Sequence, residues 1–469
     1  MTFLQRPVPG GDCQSKDFGG RALPRIMLAA ASSDSGKTTL ALGIIAALRR
    51  RGLVVAAAKC GPDFIDAAHL ARASGAAARN LDAYLAPEAL VARSFERGTR
   101  AANIAIVEGV MGLFDGHHGS GAGSTAHVAR ILEAPVVLVL DCAKAAATIG
   151  AIAFGLARFD PRVRVVGAIL NKVASDKHSA TVCDACAEAG VPVLGVIRRD
   201  ERLTIASAHL GLTAPQGAAW ETMLAAAADV VEANVDLAAL TAAAQSAPAL
   251  RAGAPFAGSV PSDAARVKVA VARDDAFWFY DEGSLDALRD AGAELVPYAP
   301  QRDPFPADVA AAFVGGGYPE SHAPTLAANV VARAGLRAAI ASGMPAYAEC
   351  GGLMYLGEAL EIGEETHAMV GAIPAISTMS PKRSALRYVE AQALAEGPFF
   401  ARGAVVRGHE FHYSRTRYAS DAPAFAIDGA GEGFARGNVH ASYVHVHLGS
   451  YPHVVDAFLG AARAFRGRP

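Results

Sequence analysis

The sequence predicts an α/β protein of two domains, each built on a parallel sheet, and three observations carry that prediction. From Arg25 onward, short and continuously apolar runs alternate with amphipathic segments, as strands buried on both faces do. A second such series begins at Val267, after a stretch where the periodicity fades. At 469 residues the chain is also long enough for two or three domains of roughly 100–200 residues.

In order along the chain, residues 1–23 mix Gly, Pro, Asp and Lys and are expected to be a disordered leader. The first domain is placed at 24–240, with strands at 26–31, 54–58, 104–107, 136–140 and 165–170 and helical stretches such as 38–50 between most of them. Between 241 and 265 the composition turns to Ala, Ser, Pro and Gly, which suits a linker. The second domain, 266–469, continues with strands at 267–271, 295–298, 312–314 and 346–348, separated by helical patterns such as 284–291 and 327–341. Beyond Gly371 shorter strands are expected at 385–394, 404–413 and 442–448, and then a helix over 453–465.

Charge is balanced, 43 Lys and Arg against 45 Asp and Glu, without acidic or basic blocks, so non-specific nucleic-acid binding is a poor expectation. Apolar residues make up 52% of the chain, yet runs such as 41–48 and 134–140 fall well short of the ~20 residues of a membrane span. The first residues lack the apolar core of a secretory signal. Six cysteines are too few for a disulfide scaffold and suit a reducing compartment, so a soluble cytoplasmic protein is expected. Cys183-x-x-Cys186 has no second pair to complete a zinc site and reads as packing.

Chemistry first shows itself at Ala31-Ser-Ser33-Asp34-Ser35-Gly36-Lys37-Thr38-Thr39, between a strand and a helix. Backbone N–H groups at such a helix start point at phosphates, Lys37 neutralises their outer charge, and the Thr38 hydroxyl can ligate Mg²⁺. The spacing is that of a phosphate-binding loop, with Ala31 where its first glycine usually stands. The next strand runs into Lys59-Cys-Gly-Pro-Asp63-Phe-Ile-Asp66, and a later one into Val107-Glu108-Gly-Val-Met-Gly-Leu-Phe-Asp115-Gly116. Ligands collect beyond the carboxyl ends of parallel strands, so these acids should converge on Lys37. A carboxylate beside phosphate needs a cation between them, which makes Asp63, Asp66, Glu108 and Asp115 candidates for Mg²⁺ or substrate. The alternative for each is a helix cap or turn carboxylate. Gly123-Ser124-Thr125 opens a further helix and offers a second anion cradle, while His117 and His118 read as solvated loop histidines. Asn171 follows a strand at a height where its amide either reads an adenine edge or caps.

The second site is Pro345-Ala-Tyr-Ala348-Glu349-Cys350-Gly351-Gly352, a strand running straight into a helical pattern. A nucleophile on so sharp a turn needs small neighbours two residues either side, and Ala348 and Gly352 supply them. The helix start favours the thiolate. Gly315-Gly316-Gly317 ends another strand, and the N–H of Gly316, with that of Gly351, is the expected oxyanion site. His445 is the expected base, with strand alternation placing His447 on its face; His409 and His412 are rivals.

These stretches, in this order, resemble the cobyrinic acid a,c-diamide synthase family, which includes the hydrogenobyrinic acid enzyme of aerobic cobalamin synthesis. The likeness spans about residues 24–465 and rests on 35–39, 59–66, 107–116, 348–355 and 441–448. It implies a dethiobiotin synthetase-like P-loop NTPase domain followed by a flavodoxin-like, class I glutamine amidotransferase domain. It also implies the chemistry: Cys350 takes ammonia from glutamine through a thioester, and ATP–Mg²⁺ activates the a and c acetates of a corrin acid as acyl phosphates that ammonia converts to amides.

Carried over residue by residue, Lys37 and Thr38 serve the phosphates and Mg²⁺ and Glu108 serves Mg²⁺; with the loop residues Ser33, Asp34, Ser35, Gly36 and Thr39 and with Asn171 expected at ATP, Asp63 is the further metal candidate. Asp63, Asp66, Asp115 and Ser124 meet the substrate or acyl phosphate, and Cys350 and His445 carry the glutaminase. Class I glutaminases usually place a Glu two residues after the base; here His447 stands there, which implies a Cys–His dyad. In 202–212 the family has a basic residue before the His, whereas Ala208 precedes His209. Rival readings are a cobyric acid synthase and a nickel-sirohydrochlorin a,c-diamide synthase. A non-catalytic P-loop switch ATPase is more distant, because Ser32 stands where such switches carry a second Lys. The expected partners are corrin acid, glutamine and ATP, without nucleic acid or membrane; a homodimer is left open.

Overall fold

The computed structural model describes residues 22–117, 121–203, 217–250, 266–420 and 422–467. The leader through residue 21, His118 and the segment 204–212 with His209 lie outside the described residues. The first sheet holds seven strands, β1 (Arg25–Ala30), β2 (Val55–Cys60), β3 (Arg79–Leu81), β4 (Ile104–Glu108), β5 (Val136–Asp141), β6 (Val165–Val173) and β7 (Val193–Arg198). They lie in the order β3-β2-β4-β1-β5-β6-β7 and pair in parallel throughout.

The continuous apolar runs have a direct cause. Met27 and Ala29 of β1 pack into one core with Val107, Leu138 and Phe95, while Ile26, Leu28 and Ala30 pack into the other with Leu40, Ile44 and Trp220. Helix α1 (Lys37–Arg50) lies on the second face, and α2 (Phe64–Ser74), α3 (Glu88–Thr99) and α4 (Thr125–Ile131) follow β2, β3 and β4. Strands β3 and β7 are both edge strands, the first only three residues long and the second half-buried, so neither carries a strong apolar signal.

The first domain also runs past residue 240. Helix Leu237–Gln245 buries Leu237, Leu240 and Ala244 against the sheet, and the buried Arg25 guanidinium donates to the carbonyls of Leu132 and Pro248. Its alanines mark neither face of the helix, which is why the sequence reads as a fading pattern.

In the second domain β8 (Val267–Ala272), β9 (Ala293–Tyr298), β10 (Ala311–Val314) and β11 (Ala346–Glu349) join Val439–Ser442 and Phe434–Arg436 in a six-stranded sheet. Its pairings are parallel except at the edge strand Phe434–Arg436. The helical pattern over 327–341 is two helices, Ala323–Ala328 and Val330–Ala341, broken where the Asn329 side chain caps the second.

The stretch expected as one strand over 442–448 is divided. Val439–Ser442 belongs to the parallel sheet, whereas His445–Val446 pairs antiparallel with Val405–His412 in a separate five-stranded sheet. The chain changes sheets at Tyr443-Val444, so strand alternation no longer relates His445 to His447.

Side chains from both domains meet at the domain contact. Arg79 pairs with Asp286, and Arg97 reaches Asp286 at 3.0 Å and Asp290 at 2.7 Å. The Tyr388 hydroxyl donates to Asp82 at 2.7 Å, and Ser450 donates to the Leu85 carbonyl at 2.9 Å. The rings of Phe64 and Phe279 stack at 5.6 Å.

Candidate active sites

The phosphate loop closes on itself through Gly36 and Asn171. Gly36 has φ +88°, and a Cβ there would stand 2.4 Å from Nδ2 of Asn171, so both backbone and space require glycine. That amide donates to the Ser35 carbonyl at 2.9 Å and accepts from the Lys172 N–H at 2.9 Å. Both ends of the group expected to read a base are thus engaged in holding the loop. Ser33 and Asp34 are exposed on its rim, and Thr38 and Thr39 lie in the first turn of α1. Lys37 is buried, with Nζ donating to the carbonyls of Ser32 at 3.0 Å and Met111 at 2.8 Å. Burial, and then the neighbouring Lys59, draw its pKa down.

Beside it the acids converge on a cation that sequence reasoning missed. Lys59 and Glu108 face each other across the β2–β4 register, and Lys59 Nζ lies 2.7 Å from Glu108 Oε1 and 2.5 Å from Asp66 Oδ2. Burial works against the ammonium, but the charges of Glu108 and Asp66 outweigh it and hold its proton more firmly than usual. The available signal was a lone lysine in a strand otherwise apolar and wholly buried.

Thr38 donates to Glu108 Oε1 at 2.6 Å, and Glu108 Oε2 is buried without a hydrogen-bond partner among the described residues. Burial, only partly offset by Lys59, pushes the Glu108 carboxyl up to about 7. An orphaned carboxylate oxygen beside a hydroxyl suits Mg²⁺, which typically takes one or two protein oxygens and completes its shell with phosphates and water. Among the described residues no cluster of three or more His, Cys, Asp or Glu side chains stands ready to hold a metal without such help.

The other predicted acids have local duties. Asp63 caps α2, accepting from the N–H groups of Ile65 at 2.9 Å and Asp66 at 3.0 Å. Burial and then Asp66 raise its carboxyl to about 6. Asp115 accepts from the Gly112 N–H at 2.8 Å and closes a turn, and Ser124 caps α4 by accepting from the His127 N–H at 3.1 Å. Thr38, Lys59, Asp66 and Glu108 therefore form the contiguous cluster, with Asp63 at its edge. Cys183 and Cys186 are free thiols, Cys186 buried in the core.

In the second domain Cys350 sits on a sharp elbow, with φ 52° and ψ −111°, after β11 and before helix Gly351–Leu356. Such a backbone costs on the order of 1–3 kcal/mol and persists because its surroundings fix it. The Cys350 N–H donates to Ser442 at 2.7 Å, and a Cβ on Gly352 would come within 2.1 Å of the Val314 carbonyl. A Cβ on Gly316 would stand 2.6 Å from Cε1 of His445 and 3.2 Å from Cβ of Cys350, so thiol and imidazole lie side by side over that glycine.

Gly316 was expected to donate to the oxyanion. Instead its N–H is turned to the Phe279 carbonyl at 3.3 Å, because an isolated β-bridge joins the two residues, and its contribution is space. Gly317 N lies 3.2 Å from where a Cβ on Gly351 would be, so those two backbones run together beside the thiol.

His445 is 4% exposed, and its Nδ1 lies 3.4 Å from Oε2 of Glu349. Burial alone would lower its pKa, but contact with Cys350 and then Glu349 raises it to about 10. The pair expected to lack a carboxylate, because His447 stands in the usual Glu position, thus has one beside it, supplied by Glu349, the residue before Cys350. Glu349 Oε1 is itself anchored, accepting from the Tyr347 hydroxyl at 2.8 Å and the Val446 N–H at 3.0 Å. Glu349 and His445 lie far apart in the chain and on different sheets, so no spacing in the sequence announces their approach.

His447 points elsewhere, its Nε2 3.4 Å from Asp281 and its Nδ1 3.1 Å from the Ser450 hydroxyl. Of the rival histidines, His409 pairs with His445 across the strands at a ring distance of 6.5 Å, and burial lowers it to about 3. His412 stacks on Tyr443 at 3.8 Å.

Residues 26–211 match the family described as the CobQ/CobB/MinD/ParA nucleotide binding domain, and residues 268–453 match the CobB/CobQ-like glutamine amidotransferase domain. A cobyrinate a,c-diamide synthase of Syntrophotalea carbinolica is 42% identical, over 94% of this chain and 98% of that protein. The chain belongs to the cobyrinate a,c-diamide synthase family. A cobyrinate a,c-diamide synthase of Dehalococcoides mccartyi is 40% identical over 94% of this chain and 99% of its own length. A hydrogenobyrinate a,c-diamide synthase of Streptomyces coelicolor is 40% identical over 95% and 98%. The chain is accordingly a glutamine-hydrolysing ligase of cobalamin biosynthesis, with a nucleotide-binding domain before an amidotransferase domain. No helix among the described residues is long and apolar enough to cross a membrane.

Proposed function

We propose that this chain amidates the a and c acetates of cobyrinic or hydrogenobyrinic acid, using ATP and ammonia released from glutamine at Cys350. The observation that carries this reading is the pairing, in one chain, of a buried thiol–imidazole couple with the Thr38–Lys59–Asp66–Glu108 cluster.

Cys350 Sγ attacks the glutamine carboxamide carbon, and the oxyanion gathers toward the backbone N–H groups of Gly351 and Gly317. Collapse breaks the C–N bond, and the nitrogen takes a proton from His445 and leaves as NH₃. Water then cleaves the thioester to glutamate. Glu349 faces Nδ1 of His445 and holds the ring with Nε2 toward the thiol.

At the other site an acetate oxygen attacks the terminal phosphorus of ATP and ADP departs, because a free carboxylate is a poor acyl donor. Ammonia attacks the acyl carbon, and phosphate leaves with the spare proton. Lys37 and Lys59 offset the phosphoryl charge, and Asn171 fixes the loop by its bond to Ser35. Thr38 and Glu108 would hold Mg²⁺, which supplies charge neutralisation on the phosphates when bound. Asp63 and Asp66 border the acyl phosphate.

The test is mass spectrometry of products formed from glutamine, ATP, Mg²⁺ and either cobalt-bearing or metal-free corrin acid. Two carboxylate-to-amide exchanges, at the a and c positions, are expected. Exchange at four other carboxylates, or on nickel-sirohydrochlorin alone, overturns the assignment.

A further inference from the structure

Beside the imidazole of His445 lies a cluster of aromatic rings, and its members come from both domains. Phe64 is the first residue of α2, directly after Asp63 and two positions before Asp66. Its ring lies 5.6 Å from Phe279, nearly parallel, and 5.1 Å from the imidazole of His445. Phe279 in turn meets Tyr318 edge-on at 5.2 Å. Tyr318 is buried and near enough to feel both ends of the system: burial chiefly raises its pKa, followed by the charges of Cys350, Glu320 and Asp63. Phe64 thus touches the glutaminase base with its ring, while its backbone belongs to the turn that carries the acids of the amidation site.

We propose that Phe64 is the shutter between the two sites, closing the route from Cys350 to the amidation cluster until Asp63 and Asp66 engage nucleotide and substrate. The inference rests on the amidation reading above. Its physical need is plain. Ammonia released at Cys350 is a nucleophile only while uncharged, and water on its route would protonate it or carry it off. Rings from both domains exclude water more fully than polar side chains would. The first turn of α2 links the two clusters, because Asp63 caps that turn, Asp66 within it is ion-paired to Lys59 of β2, and Phe64 between them meets His445.

The test compares the full-length wild type with Phe64→Ala and Phe64→Leu. Three rates are measured: glutamate formation, corrin amidation driven by glutamine, and corrin amidation driven by ammonium chloride. The wild type is expected to form about one glutamate per amide at saturating ATP and cobyrinic acid. Phe64→Ala should raise glutamate formed per amide by roughly tenfold and lower glutamine-driven amidation, relative to the ammonium-driven rate. Phe64→Leu, which restores apolar bulk, should return the ratio most of the way.

An unchanged ratio in Phe64→Ala overturns the proposal. So does a parallel fall of glutamine-driven and ammonium-driven amidation, which would place Phe64 in the acid site alone. A wild type that hydrolyses glutamine but amidates no corrin acid under either nitrogen source would instead defeat the substrate reading, and the two failures are distinguishable.

Discussion

Replacing Glu349 with Gln tests how the imidazole is held. Gln keeps an oxygen for the Tyr347 hydroxyl and the Val446 N–H, which lie 2.8 and 3.0 Å from Glu349 Oε1, so the local fold should survive. Its NH₂ group would then occupy the position 3.4 Å from Nδ1 of His445, and donor would face donor. The negative charge is lost as well. An opposite charge this close usually moves a pKa by about 1–3 units, each worth about 1.4 kcal/mol.

Cys350 and Glu349 together raise His445 to about 10, with Cys350 the larger influence. Removing the Glu349 charge should therefore lower the His445 pKa. The sign follows: the imidazolium that supplies the leaving proton exists below its pKa, so lowering that pKa draws the alkaline limb of the rate profile to lower pH. Glutamate release by Glu349→Gln, followed from pH 6 to 11 by a coupled assay, should show that acidward shift and a fall in kcat of about 10²-fold. Glu349→Asp should recover part of both, and ammonium-driven amidation should be unaffected. If the profile of Glu349→Gln overlies that of the wild type at equal kcat, Glu349 does not orient the base.

Three other outcomes follow from the geometry. Gly316→Ala would drive a methyl to 2.6 Å from His445 Cε1, so glutamine hydrolysis should fall by about 10²-fold while ammonium-driven amidation persists. Lys59→Met would leave Glu108 and Asp66 facing each other without their cation; a loss of about 3–5 kcal/mol in denaturant unfolding is expected, with amidation abolished. Glu108→Gln should remove Mg²⁺-dependent ADP formation yet spare glutamine hydrolysis, and a magnesium titration of both activities checks it.

Much of the chemistry was legible because it is encoded by neighbours in the chain. Small residues around Cys350 permit its left-handed backbone, and the Gly-Lys-Thr start of α1 marks the phosphate loop in the sequence, although Asn171 from a distant strand holds that loop in place. The acids at the ends of β2 and β4 were legible for a similar reason, since parallel strands deliver their carboxyl ends to one edge. Asp115 and Ser124, by contrast, carry the same residue types at suggestive places, yet their oxygens are engaged by the Gly112 and His127 N–H groups of their own turns.

Sequence alone determined the two α/β domains, the elbow at Cys350 and the strand–loop–helix at Gly36-Lys37-Thr38, because each shows itself in residue types and apolar patterning within a few positions. Only the tertiary structure decided that Lys59 neutralises Glu108, that Glu349 faces His445, that Gly316 gives space, and that Phe64 touches His445 of the other domain. Those relations arise from strand register and domain contact, which bring together groups from distant segments, and a charge or ring acts through space on whatever the fold sets beside it.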